Sequence, residues 1–339
     1  MNLISKLFVF IVLAVGQSGI LMAQSQNDDV LEMMELISKN ELERHLTIIA
    51  GDEMEGRKTG EAGQKRAANY IRDFYKNIEI KPLSGTEDYF QHVPSEAMKR
   101  MFSPKLNDSE NVIAYIKGTE KPDEYIVLSA HYDHVGIANG EIYNGADDNG
   151  SGTTALMEIA RILQTAHKNG NGPKRSVIFL HCTGEEYGLH GSRFFVNSKI
   201  LPLENIVANL NVDMIGRKDL KYENTDTEYI YLVGSDRLST ELHDLSEAMN
   251  KKYTKLHLDY AYNENNHPEM IYYRSDHYNF AKFGIPVIFY YNGEHADYHQ
   301  PTDTLDKIDF EQMRKRTQLI FTTTWELANR PERIKLNNQ

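Results

Sequence analysis

Arg175–Cys182 reads RSVIFLHC, apolar at most positions and lacking the alternation of a strand that faces water on one side. Its length and β-branched content predict a strand buried on both faces. Similar runs recur at Tyr125–Ala130, Ile206–Val212 and Ile285–Tyr291, and Tyr229–Val233 adds another. Helical spacing occupies Ser151–Thr165, Ser239–Lys251 and Asp276–Phe283, and Asp309–Leu327 closes the chain. Strands buried on both faces and separated by helices need a layer on each side. The pattern therefore predicts an α/β fold, a three-layer α/β/α arrangement around a central mixed, mostly parallel sheet.

The earlier third is less regular. Asp28–Ile49 places Leu31, Met34, Leu36, Ile37, Leu42 and Leu46 at helical spacing, which predicts one or two helices. Gly51–Gly60 reads as a charged loop. Glu61–Lys76 reads as a helix with Ala67, Ala68, Ile71 and Phe74 on one face. Tyr89–Val93 and Asn111–Lys117 are strand-like. Hydrophilic Gly118–Asp123 predicts a hairpin turn joining Asn111–Lys117 to Tyr125–Ala130, and hence an antiparallel edge. Arg193–Val196 reads as a short helix or turn. Tyr260–Ser275 is long and polar, either a lid or pocket wall or a solvent loop. Its neighbourhood carries Tyr260, Tyr262, Tyr272, Tyr273, Tyr290 and Tyr291, which suit a pocket lining or the core and rim.

Residues 1–23 combine an early lysine, the nine-residue apolar run Leu7–Val15 and a small residue, Ala23, before polar Gln24. That order predicts a secretory signal peptide cleaved after Ala23, with 24–339 as a single domain. The run is too short to span a bilayer, and no cysteine follows it for lipidation, so no stable membrane anchor is expected. The one cysteine, Cys182, lies in an apolar strand, so no internal disulfide can form. Export without disulfides suits a periplasmic or secreted enzyme. A net charge of −12 argues against nucleic acid or an anionic membrane as partner.

The chemistry gathers after the strands. His131-Tyr132-Asp133-His134 follows one, and Asp147-Asp148-Asn149 opens the next helix. Glu185-Glu186 and Asp213 follow two further strands, and Asp297-Tyr298-His299 follows the last. In open α/β sheets, ligands bind beyond the carboxyl ends of the strands. Adjacent carboxylates there repel unless a cation or shared proton compensates. A His/Asp/Glu set without thiolate suits zinc, with Mn²⁺ or Co²⁺ as possible substitutes. Two histidines and three carboxylates suffice for two ions sharing one carboxylate, with one Glu left free.

In order, HYDHVG, GADDNGSG, GEEYGLHGS, NVDMIG, SDHYNFAKFGIP and YHQPTDT resemble the co-catalytic zinc aminopeptidases of peptidase family M28. The resemblance extends to GDEMEGRKTGEAGQKRAANYI at Gly51–Ile71. It implies that His131 and Asp213 bind one zinc and that Glu186 and His299 bind the other, with Asp148 bridging both. Asp148 rather than Asp147 is chosen because it stands three before Ser151. For either Asp the alternative is a helix N-cap. The family also places a cis peptide after its bridging Asp, here Asp148-Asn149. Asp133 would accept a hydrogen bond from His131 and set its tautomer. Asp276 would orient a neighbour or cap its helix. Tyr298 would bond the oxyanion or simply pack beside His299. His134, His181, His190, His277 and His295 read as structural or surface residues.

The implied reaction is removal of N-terminal residues from peptides with a free amino end. Glu185 would be general base and then acid towards a hydroxide bridging the metals. Three alternatives stay open. A carboxypeptidase of the family would use cationic groups such as Arg217 or Arg274 on a terminal carboxylate. A glutaminyl-peptide cyclase would use one zinc and the same Glu. A non-catalytic binding module would be expected to lack ligands or the base. Oligomeric state and side-chain preference are not legible.

Overall fold

The computed structural model describes residues 29–100, 105–264 and 267–337; the expected signal peptide at 1–23 lies outside them. Helices α1 (29–35) and α2 (Lys39–Ile49) lead in. Ser38 caps α2 by accepting the Glu41 N–H, and Leu42, Leu46 and Ile49 are buried. Then come α3 (Ala62–Asn77) and strands β1 (Lys81–Pro82), β2 (Phe90–Val93), β3 (Ser109–Ile116) and β4 (Lys121–His131). A two-stranded ribbon, β5 (Gly136–Ala138) with β6 (Glu141–Tyr143), leads to α4 (Gly152–Lys168). β7 (Arg175–Cys182), α5 (His190–Asn197), β8 (Ile206–Val212), β9 (Tyr229–Val233) and α6 (Thr240–Met249) follow. β10 (His257–Asp259), α7 (His277–Ala281), β11 (Val287–Tyr291) and α8 (Phe310–Asn329) complete the order.

Apart from the ribbon, the strands form one sheet ordered β1-β3-β7-β4-β8-β11-β9-β10, with β2 also paired to β3. The inner neighbours β7, β4, β8 and β11 run parallel, so their carboxyl ends share one rim. β3 is antiparallel to β7, and β9 is antiparallel to β11. The sheet is mixed with a parallel centre, as expected.

The predicted hairpin does not form. β7 lies between β3 and β4, antiparallel to one and parallel to the other. Gly118–Lys121 instead crosses the start of β7, where Thr119, Glu120 and Lys121 donate their N–H groups to the carbonyls of Pro173 and Lys174. A Cβ on Gly118 would come 2.5 Å from the Lys174 carbonyl oxygen, so glycine is needed for this close crossing. Turn composition signals a reversal of direction but not which strand fills the space beside it.

Each inner strand feeds two cores. Val177 and Phe179 of β7 pack in the core that holds α2, α3, α4 and α8. Ile178, Leu180 and Cys182 pack in the opposite one with Phe195 of α5 and Phe280 of α7. That two-sided burial explains the unbroken apolar run. Among the described residues no helix is long and apolar enough to cross a membrane.

Candidate metal centre

The parallel arrangement brings the strand-end residues together. β4 ends on His131, Glu185 and Glu186 follow β7, Asp213 follows β8, and His299 lies on the segment after β11. Asp148 joins them from the turn that opens α4, with a cis peptide to Asn149. Asp148 Oδ1 lies 3.3 Å from His131 Nε2, while its Oδ2 lies 3.0 Å from His299 Nε2. His131 Nε2 is also 3.3 Å from Asp213 Oδ1, and His299 Nε2 is 3.0 Å from Glu186 Oε2. The donors thus divide into two clusters that share one carboxylate, a pattern that suits a pair of divalent cations. Glu185 Oε2 stands 3.9 Å from His131 Nε2, further out than any of these. Asp147 is not in the cluster: its Oδ1 accepts the Gly216 N–H at 2.6 Å and its Oδ2 lies 3.2 Å from His295 Nε2.

Asp133 differs in detail from expectation. The partner of His131 Nδ1 is the Asp133 backbone carbonyl at 3.1 Å, whereas the carboxylate is 3.8 Å away. The carboxylate instead accepts from Thr59 Oγ1 at 2.6 Å and from the Glu185 N–H at 3.1 Å, tying the two strand-end loops together. Asp276 does not cap α7 through its side chain; it is fully buried, and among the described residues neither carboxylate oxygen has a partner at hydrogen-bonding geometry. His134 is neither a surface residue nor plain core. Its ring is buried, with Nδ1 2.6 Å from Glu186 Oε1.

Several residues here lie in the motifs quoted above but were given no role there. The Arg57 guanidinium is wholly buried and donates to the carbonyls of Ile49, Tyr132, Asn144 and Gly145, holding the His131 and Asp148 loops against the end of α2. Asn149 Oδ1 accepts the Gly152 N–H, and its Nδ2 donates to the Val212 carbonyl, joining α4 to β8. The Asp303 carboxylate accepts the N–H groups of Asp147 and Asp148. Ser275 Oγ donates to Asp213 Oδ2 at 2.6 Å and accepts from Asn211, which itself accepts from Ser129. Polar residues inside otherwise apolar strands, here Ser129, Asn209 and Asn211, were the available clue to that last chain.

Burial and mutual charge set the electrostatics. Burial raises Glu185 well above the usual carboxylate range, His131 draws it back, and the Asp213 and Glu186 charges push it further up. Glu186 is also buried, but hydrogen bonds from His134 and His299 prevail and lower it to about 2. Asp148 is held well below its usual value against burial by His131, His134 and His299. Burial raises Asp133 to about 6, opposed by His131 and Thr59.

A small cavity, partly continuous with solvent, opens beside the clusters. Asp148, Glu185 and Asp213 form its acidic floor, and Met214, Ile271, Phe289 and Tyr291 its apolar walls. Arg274 and Tyr298 complete the lining; Arg274 Nη2 is 2.7 Å from Glu294 and 3.4 Å from the Tyr298 hydroxyl. The segment 260–275 is therefore in part a pocket wall, through Ile271 and Arg274. Of the six clustered tyrosines only Tyr291 reaches the cavity; Tyr290 points to the other face, where its hydroxyl meets Ser246. Arg217 is taken by Asp297 at 3.0 Å.

Residues 111–324 match the sequence model of peptidase family M28. The chain belongs to that family. The M28 chain is 30% identical over 216 residues to a protein of Trichophyton verrucosum described as "Probable leucine aminopeptidase", covering 61% of this chain and 55% of that one. It is 26% identical over 284 residues to a "Probable zinc metalloprotease" of Pyricularia oryzae, covering 72% and 54%. It thus spans about half the length of these two relatives. Its fold resembles that of a zinc aminopeptidase from Bacillus subtilis, with TM-score 0.65 and 17% identity over 88% of this chain and 97% of the other. An aminopeptidase from Legionella pneumophila gives 0.68 and 20%, over 90% and 76%.

Proposed function

We propose that the protein is an exported di-zinc aminopeptidase that releases N-terminal residues from peptides. The supporting observation is the division of the Asp148 carboxylate between His131 and His299. His131, Asp148 and Asp213 would hold one ion; Asp148, Glu186 and His299 would hold the other. Zinc bound there would acidify water towards neutrality and polarise the scissile carbonyl. Mn²⁺ or Co²⁺ would serve as substitutes.

Glu185 is assigned as general base because its carboxylate lies beside the first cluster, 3.9 Å from His131 Nε2 and so farther from it than Asp148 or Asp213. Burial and neighbouring charge raise its proton affinity, which suits a group that takes a proton from water and returns it to the departing amine. The Glu185 N–H on Asp133 fixes the backbone from which that side chain reaches. The half-buried Tyr298 ring stacks on His299 at 4.0 Å and lines the cavity, where its hydroxyl could donate to a developing oxyanion. The acidic floor attracts a substrate ammonium, and the apolar walls suit an apolar first side chain.

One observation favours a second reading. Arg274 lines the cavity, and a guanidinium there can hold a substrate carboxylate, which would make the enzyme a carboxypeptidase. Its existing pairing with Glu294 weighs against this. Leu-p-nitroanilide, an N-terminal Gln peptide and a C-terminal Glu peptide separate aminopeptidase, cyclase and carboxypeptidase. We expect hydrolysis of the first, abolished by a chelator and restored by zinc. Turnover by protein shown to be metal-free would refute the proposal.

A further inference from the structure

His134 has no role in the assignment above, yet it is aimed at the second cluster. Its ring is held from two sides. The backbone N–H of His134 donates to the Arg57 carbonyl at 3.2 Å, fixing the chain next to the loop that Arg57 organises. On the other side is Gly145, in the left-handed region at φ 56°, where a Cβ would fall 2.5 Å from His134 Cδ2. Only a residue without a side chain leaves this slot open, and the ring that fills it is fully buried. The slot points Nδ1 at Glu186 Oε1, 2.6 Å away, and the rings of His134 and His299 meet edge to face at 5.7 Å. His134 Nδ1 is 3.7 Å from Asp148 Oδ2, too far for a hydrogen bond.

The two oxygens of Glu186 are therefore divided, Oε1 facing His134 and Oε2 facing His299. A carboxylate that serves as a metal ligand is ionised and can only accept, so the hydrogen between it and His134 belongs to the imidazole. We propose that His134 is a positioning residue for the second metal site: its Nδ1–H holds Glu186 Oε1, so that Oε2 alone is presented beside His299 and Asp148. This rests on reading the clusters as a metal centre and assigns a function to a residue that the ligand set leaves out. Partners that orient a ligand set affinity as well as geometry, and their removal typically costs about 10–100-fold in metal binding.

The test is zinc uptake of the full chain, measured by competition with a chromophoric chelator, for the wild type, His134→Leu and His134→Asn. Leucine fills the slot without an N–H, whereas the asparagine amide nitrogen lies close to the position of Nδ1 and can still donate. The wild type is expected to bind two equivalents. His134→Leu should weaken one of them by about 10–100-fold and leave the other unchanged, and His134→Asn should recover most of the loss. Wild-type affinity at both sites in His134→Leu would overturn the inference. So would an asparagine variant as weak as the leucine one, since the imidazole would then be a ligand itself. If the leucine variant does not fold, the asparagine variant alone decides: loss of its second equivalent refutes the donor role. A wild type that takes up no zinc would instead refute the metal reading on which the inference stands.

Discussion

Glu185 and Glu186 are neighbours in the chain with opposite electrostatic settings. Two imidazoles hold Glu186 ionised, whereas burial and like charges favour the protonated form of Glu185. Glu185→Ala should therefore keep both metals, by elemental analysis, while kcat falls by about 10²–10⁴-fold. Near-normal turnover in that variant would eliminate the base assignment. Asp303 acts one layer away. Asp303→Ala leaves the buried N–H groups of Asp147 and Asp148 without their acceptor, at about 1–3 kcal/mol for each. Denaturant midpoints should fall accordingly, and zinc should dissociate faster because the Asp148 loop is no longer held. An unchanged midpoint would show that the loop is held without Asp303, by contacts such as those of Arg57 and Asn149. That His131 and Asp148 belong to one cluster was legible, because strand ends carrying carboxylates and imidazoles are unusual. The acceptor for His131 was not, because carbonyl and carboxylate of Asp133 are equally close in sequence and only the turn geometry separates them.

Among the elements, β7 is the one on which the rest are arranged. It is buried along its whole length, packs into both cores and delivers the two glutamates. Phe179, in the larger core and fully buried, has little room to collapse when truncated. Phe179→Ala should cost about 3–5 kcal/mol in equilibrium unfolding. A loss below about 1 kcal/mol would show that the core repacks freely around this strand. The extent of β7 was readable because every residue in Arg175–Cys182 is buried, which removes any ambiguity of face. Its place between β3 and β4 was not readable, since the 117–120 segment has turn chemistry whether or not a third strand lies beneath it.

At the scale of the molecule, buried imidazoles connect stability to pH. His181 is fully buried, hydrogen-bonds Tyr75 at 2.7 Å, and burial lowers it to about 3. The unfolded chain takes up that proton near pH 6.5 while the folded one refuses it. Stability is thus complete above about 6.5 and is lost as pH falls towards 3. His181→Gln, which keeps an acceptor for Tyr75, should flatten the fall in unfolding free energy between pH 5.5 and 4.5 by about 1.4 kcal/mol per unit relative to wild type. Parallel pH profiles for the two proteins would contradict this origin of acid sensitivity.

Local order was written in consecutive residues. The long central strands and most of the helices, the cover on both faces of the sheet, and the gathering of carboxylates and imidazoles after the strands follow from period, burial pattern and side-chain type, whereas the short strands β1, β5, β6 and β10 do not. Strand order, the slot that aims His134, and the bonds that orient the ligands belong to the tertiary structure. Thr59 meets Asp133 across 74 positions, Ser275 meets Asp213 across 62, and Arg57 meets Asn144 across 87. No local periodicity encodes such meetings. They exist because packing the parallel strands brings distant chain segments to one rim, where buried donors and acceptors must find each other.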